Sequence, residues 1–205
     1  MAEERHTTVA RQQCHHFPSP FRLRCRMTPD TILNFWFSEI NPPQWWRKDP
    51  RFDAMVADRF GTVHGAARAG ELFAWRTDAP GRLAEILVLD QFSRNMYRNQ
   101  PAAFAADPQA LALAQEAITA AAIEQLPPDR ASFVLLPVMH SESLLIHDAY
   151  ADWFKRPGFD NTLASEHLHR QILERFGRYP HRNAILGRVS TVEEAAFLLQ
   201  PGSSF

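Results

Sequence analysis

Residues 83–95 read Leu-Ala-Glu-Ile-Leu-Val-Leu-Asp-Gln-Phe-Ser-Arg-Asn. On a helix advancing about 100° per residue, Leu83, Ile86, Leu87, Asp90, Arg94 and, one turn on, Tyr97 share a face. Val88, Leu89 and Phe92 cover the remaining sides. A helix that is apolar nearly all round belongs inside a core, so the chain is expected to wrap other helices around this one. Asp90 and Arg94 then sit four apart in an interior stripe. An isolated buried charge is very unfavourable, so the two must pair with each other, with further groups or with a ligand.

Outward from this segment the punctuation is helical. Thr28-Pro29 and Asp49-Pro50 are N-caps followed by proline at the first helical position. Asp78 opens the central helix, expected to run to about Arg98, and Asp107-Pro108 opens an Ala/Leu-rich one. Pro128 begins a long helical stretch to about Phe154, kinked at Pro137. Asp160 leads into a helix that Gly177 terminates, and Ser190-Thr191 with Glu193 and Glu194 offers a capping box for the last. No stretch alternates in the period-two manner of a strand. The expected fold is all-α, with antiparallel helical hairpins stacked as a bundle, in one domain over residues 27–205.

Residues 1–26 differ: five arginines and two acids, no helical period, and no apolar stretch of a secretory signal. They are expected to be a disordered or misannotated leader, with the functional start at Met27. Both cysteines, Cys14 and Cys25, fall there, so no disulfide can staple the domain and a reducing cytoplasm is the expected home. The net charge of -1 gives no basic field for nucleic acid, and no apolar run approaches the roughly 18 residues of a membrane span. Neither partner is expected.

Three short segments hold the polar chemistry. The first carries Asp90, Gln91, Arg94 and Asn95 on the buried helix. The second is His140-Ser141-Glu142, one turn after Pro137, where a kink frees a carbonyl and can open a cavity. The third is Arg178-Tyr179-Pro180-His181-Arg182-Asn183, a proline-stiffened loop after a helix-ending glycine. Guanidinium forks and imidazoles suit carboxylate or phosphate. His140, Glu142, His169 and His181 are ligand types for zinc or iron, but no tight ligand spacing supports a metal site, and no cofactor is expected. Trp45 and Trp46 read most simply as packing residues.

Together, Ile32–Phe37, Leu89–Asn95, His140-Ser141-Glu142 and Arg175–Asn183 resemble a bacterial family known only as domain of unknown function 924. The resemblance runs over roughly residues 30–200 and leaves the leader outside. It implies an all-helical domain related to tetratricopeptide-like arrays, and no established substrate or catalytic residue. His169 sits where the family commonly carries histidine. The family usually has proline at the position of Ser93, so the helix is expected to be less distorted here.

The leading functional expectation is that Asp90, Gln91, Arg94, Asn95, His169, Arg178, Arg182 and Asn183 converge on a pocket for a small anionic ligand. Were that pocket to hydrolyse or transfer a group, His140, His181 and Glu142 are the expected acid–base residues, since imidazole titrates near neutrality. The alternative is a tetratricopeptide-like module that binds a peptide on Trp45 or Trp46, with its charges locked in an internal salt-bridge network. Arg182 reads as a loop residue whose loss spares stability.

Overall fold

The computed structural model describes residues 27–204, and within them the secondary structure is helical, with no strand. The leader reading and both cysteines lie outside the described residues. Ten α-helices follow one another: α1 Pro29–Asn34, α2 Pro42–Trp46, α3 Pro50–Arg68, α4 Ala79–Leu87, α5 Ser93–Met96, α6 Asp107–Thr119, α7 Pro128–Met139, α8 Leu144–Phe154, α9 Asp160–Phe176 and α10 Val192–Phe197. None of the described helices is long and apolar enough to cross a membrane.

The caps read from the sequence are in place. The side chains of Thr28, Asp49 and Asp78 each accept a hydrogen bond from backbone N–H groups of the first turn. Thr191 and Glu194 form the capping box of α10. Gly177 ends α9 in the left-handed region at φ 68°, where a Cβ would be strained.

The core is built on aromatic rings. Phe35, Phe60 and Phe92 meet at centroid separations of 4.7 and 4.8 Å, and Trp36 lies 5.6 Å from Phe92 and 6.1 Å from Phe133. Each such buried side chain contributes about 1.5–3 kcal/mol, with roughly 0.5–1.5 more for a well-set ring pair. α4 packs on α1, α6 and α7, which makes it the central helix, as its all-round apolar sequence requires.

Two expectations need correction. The central helix, expected to run unbroken from Asp78 to about Arg98, is not uniform: between α4 and α5, residues Val88–Phe92 are π-helical. The Ser93 hydroxyl donates to the Leu89 carbonyl at 2.6 Å and takes up a backbone group within the wider turn. The second correction concerns the stretch expected as one kinked helix from Pro128 to Phe154. α7 runs through Pro137, and the His140 amide still reaches the Leu136 carbonyl at 2.8 Å. The chain breaks instead at residues 140–143.

The break is made by tertiary partners. The Tyr179 hydroxyl donates to the Met139 carbonyl at 2.6 Å, Arg182 Nη2 to the His140 carbonyl at 3.0 Å, and His147 Nε2 to the Ser141 carbonyl at 2.9 Å. Side chains thus take the carbonyl of the last residue of α7 and those of the two residues after it, which a continuing helix would have bonded to backbone amides. These bonds bring the loop after α9 against the end of α7.

Candidate functional site

A cavity of about 700 Å³ lies where α5, the end of α7, α9, the segment 45–48 and the turn 181–185 meet. Of the residues selected from sequence, Gln91, Arg94, Asn95, His140, His169, His181 and Arg182 line it. Lys48, Arg98 and Phe104 line it too without having been expected at a site, and so do Trp45 and Trp46, which were expected only as packing residues or peptide anchors. The wall thus has four cations and three histidines, and no carboxylate among the described lining residues.

The carboxylates stand one layer behind. Asp107, at the first position of α6, accepts two parallel hydrogen bonds from Arg94 at 3.0 and 3.1 Å and a third from Arg182 Nη1 at 3.3 Å. Asp53 holds Arg98 by two contacts at 2.5 and 2.8 Å. Asp90 is 1% exposed, bonds Gln91 Nε2 at 2.6 Å and lies 3.0 Å from Arg94 Nη1. Burial alone would raise the Asp90 carboxyl, yet Arg94 and then His140 and Gln91 hold it well below the usual carboxylate range. Both arginines also pass over Phe104, at 5.8 Å for Arg94 and 4.7 Å for Arg182.

His140 Nδ1 lies 2.8 Å from Asp90 Oδ1. A carboxylate only accepts, so Nδ1 carries the proton and donates. Burial first, and then Arg94, push His140 below its ordinary pKa, so the ring is neutral near pH 7. Nε2 therefore keeps its lone pair, on a ring that lines the cavity, and makes no hydrogen bond among the described residues. A carboxylate fixing Nδ1–H on a ring that lines a cavity is an arrangement compatible with a general base. His181 and His169 are also depressed, each to about 3, by burial first and then by neighbouring cations and histidines.

Besides Asp90, three more of the selected residues are not brought to the cavity wall. Glu142 accepts from the Tyr179 amide at 2.7 Å and from Arg188 at 2.6 and 2.9 Å, tying the 140–143 break to the loop. Those bonds keep its carboxyl below the ordinary value against the opposing effect of burial. Arg178 is clamped to Glu194 at 2.6 and 2.8 Å and to the Val189 carbonyl, which fastens α10. Asn183 is fully buried and donates to Ser190 Oγ at 3.1 Å. With their hydrogen bonds directed into the fold, these three act as struts rather than in the acid–base and ligand-contact roles expected of them. Arg182 is only 5% exposed, so its loss will not spare stability as its loop position suggested. Among the described residues no group of three His, Cys, Asp or Glu is placed to hold a metal ion.

Asp107 escaped the sequence reading because its Asp-Pro context explains it as a helix start. The signal that finds it is the arginine excess: Arg94 and Arg182 cannot both be neutralised by Asp90.

The model of a family described as bacterial protein of unknown function (DUF924) matches residues 32–202. The chain belongs to this family. A solved structure of another protein of unknown function, ATU0120 from Agrobacterium tumefaciens, is 38% identical, with a TM-score of 0.78 over 83% of this chain and 96% of that one. No curated protein matches. The DUF924 match encloses every segment that lines the cavity except Ser204.

Proposed function

We propose that the cavity binds a small organic anion, with a carboxylate or phosphate as the recognised group. The observation that carries this reading is the sign of the wall: Lys48, Arg94, Arg98 and Arg182 line it and no described carboxylate does. The acids that neutralise the arginines are not lining residues, and each guanidinium has more N–H donors than the bonds it makes to them, which leaves donors for a ligand to use. Arg182 Nε is buried and without a partner among the described residues, and Lys48 forms no ion pair there. The His140–Asp90 pair equips the same space to accept a proton from bound water or ligand, which is the step a hydrolase or transferase needs.

A peptide-binding module of stacked, tetratricopeptide-like hairpins is the alternative. Trp46, at 62% exposed, favours it as an anchor, while the cationic lining of the cavity favours the small ligand.

Calorimetric titration with phosphate and acetate, at low and high salt, tests the reading. Lys48→Ala is the diagnostic variant, because the side chain is exposed and its loss leaves the melting temperature unchanged. Anion affinity should fall by up to about fivefold, as for an exposed charge pair. Affinity indifferent to Lys48 and to ionic strength would remove the electrostatic basis of the site.

A further inference from the structure

The cavity is far larger than the group its cations recognise. A bare phosphate or acetate fills a few water volumes of about 30 Å³ each, whereas 700 Å³ falls in the range of sites for whole organic ligands, roughly 300–1,000 Å³. Much of the remaining wall is apolar and aromatic: Trp45, Trp46, Phe104, Leu136, Met139 and Ile185. The two tryptophans are adjacent in sequence and held rigidly. Trp45 Nε1 donates to the Trp36 carbonyl at 2.8 Å, and its ring stacks on Trp36 at an interplanar angle of 12°. Trp46 lies parallel to Phe133, 6° apart in plane and 5.9 Å between centroids, and meets Trp45 edge-on at 6.2 Å. One face of Trp46 is thus backed by Phe133 while 62% of the residue stays exposed at the cavity wall. A large ring fixed in place and left wet is a poor packing residue and a good stacking surface.

We infer that the ligand is an aryl anion, with its carboxylate or phosphate held by Lys48 and Arg182 and its flat ring laid against Trp46. This rests on the anion-binding reading and specifies the body to which the recognised charge is attached. Amide and hydroxyl groups of Asn95, Asn161 and Ser165 on the same wall suit a ring with polar edges. Tryptophan supplies sequence-tolerant face-to-face contact, so the ring is recognised by shape and stacking, while the cations fix which end points inward.

The test uses the full chain and three classes of probe. Phenyl phosphate and 1-naphthoate carry ring and charge, inorganic phosphate and acetate carry charge alone, and benzyl alcohol carries a ring alone. Titration followed by tryptophan fluorescence and by calorimetry should place the ring-bearing anions roughly tenfold or more tighter than either control class. Trp46→Ala, at an exposed position, should erase that advantage and leave inorganic phosphate binding unchanged, and Trp46→Phe should restore part of it. Equal affinity for phosphate and phenyl phosphate overturns the aryl inference and leaves the anion site standing. Equal affinity for benzyl alcohol and the aryl anions overturns the anion reading instead, because charge then contributes nothing. Failure of every probe to bind at millimolar concentration removes both.

Discussion

Asp107→Ala removes a carboxylate that Arg94 and Arg182 share. Asp107 sits 3.0–3.3 Å from both guanidinium groups, with 17% of its side chain exposed, so the pairs are poorly screened by water. At an effective dielectric of about 20, each pair near 4 Å is attracted by roughly 4 kcal/mol before desolvation is subtracted. Breaking a buried pair by deleting one partner leaves an uncompensated charge and costs about 3–5 kcal/mol net. The loss of an acidic side chain from the first turn of α6 adds only about 0.3–1 kcal/mol, so the arginine pairs dominate. For a chain of this size, each kcal/mol moves the melting temperature by roughly 2–4 °C, giving an expected drop of about 6–20 °C.

The same deletion leaves a carboxylate-sized gap beside two cations. Formate or acetate at tens of millimolar should therefore recover part of the lost melting temperature in the variant, by mass action on the folded state, and do little for the wild type there. Differential scanning calorimetry of both proteins across a formate series is the assay, with chloride at equal ionic strength as the control. A melting temperature within about 2 °C of wild type would refute the account of the arginines as neutralised from behind, since it predicts at least 6 °C. A full drop with no recovery by formate would show that the cost lies in the helix and not in the unpaired cations.

Acidification supplies a second expectation. His64 is depressed to about 4, and His169 and His181 to about 3, by burial first in each case. Their unfolded value is about 6.5, so below that pH the unfolded chain binds more protons than the folded one. The stability they hold is present above about pH 6.5 and is lost as pH falls towards 4 and then 3; melting temperatures flat from pH 7 to 4.5 would contradict this. Gly81→Ala should abolish or gravely weaken folding, because a Cβ there would lie 1.8 Å from the Trp75 carbonyl oxygen and the contact is backbone to side chain with nowhere to yield. A cost below about 3 kcal/mol in chemical denaturation would mean that the 73–77 turn shifts freely.

Much of the fold was legible because its signals are local. Thr28, Asp49, Asp78, Thr191 and Gly177 act within one turn of where they stand, through backbone groups any helix end exposes. The burial of residues 83–92 follows from an apolar surface on every side. Asp90 and Arg94 were legible as a pair for the same reason: four residues apart on a helix is a distance that sequence fixes.

What lay beyond sequence depends on who meets whom across the chain. Nothing in residues 140–143 reveals that Tyr179, Arg182 and His147 will take the carbonyls there and end a helix that Pro137 had not ended. Nor does the loop sequence say that Arg178 and Asn183 turn inward to Glu194 and Ser190 while their neighbours His181 and Arg182 face the cavity. Composition and periodicity determined that this chain is helical, and that charges within a buried helix would need partners. Only tertiary packing decided that Asp107 stands behind the arginines and Trp46 beside them, because a side chain's partner across tens of residues is set by the docking of helices and not by the order of amino acids along any one of them.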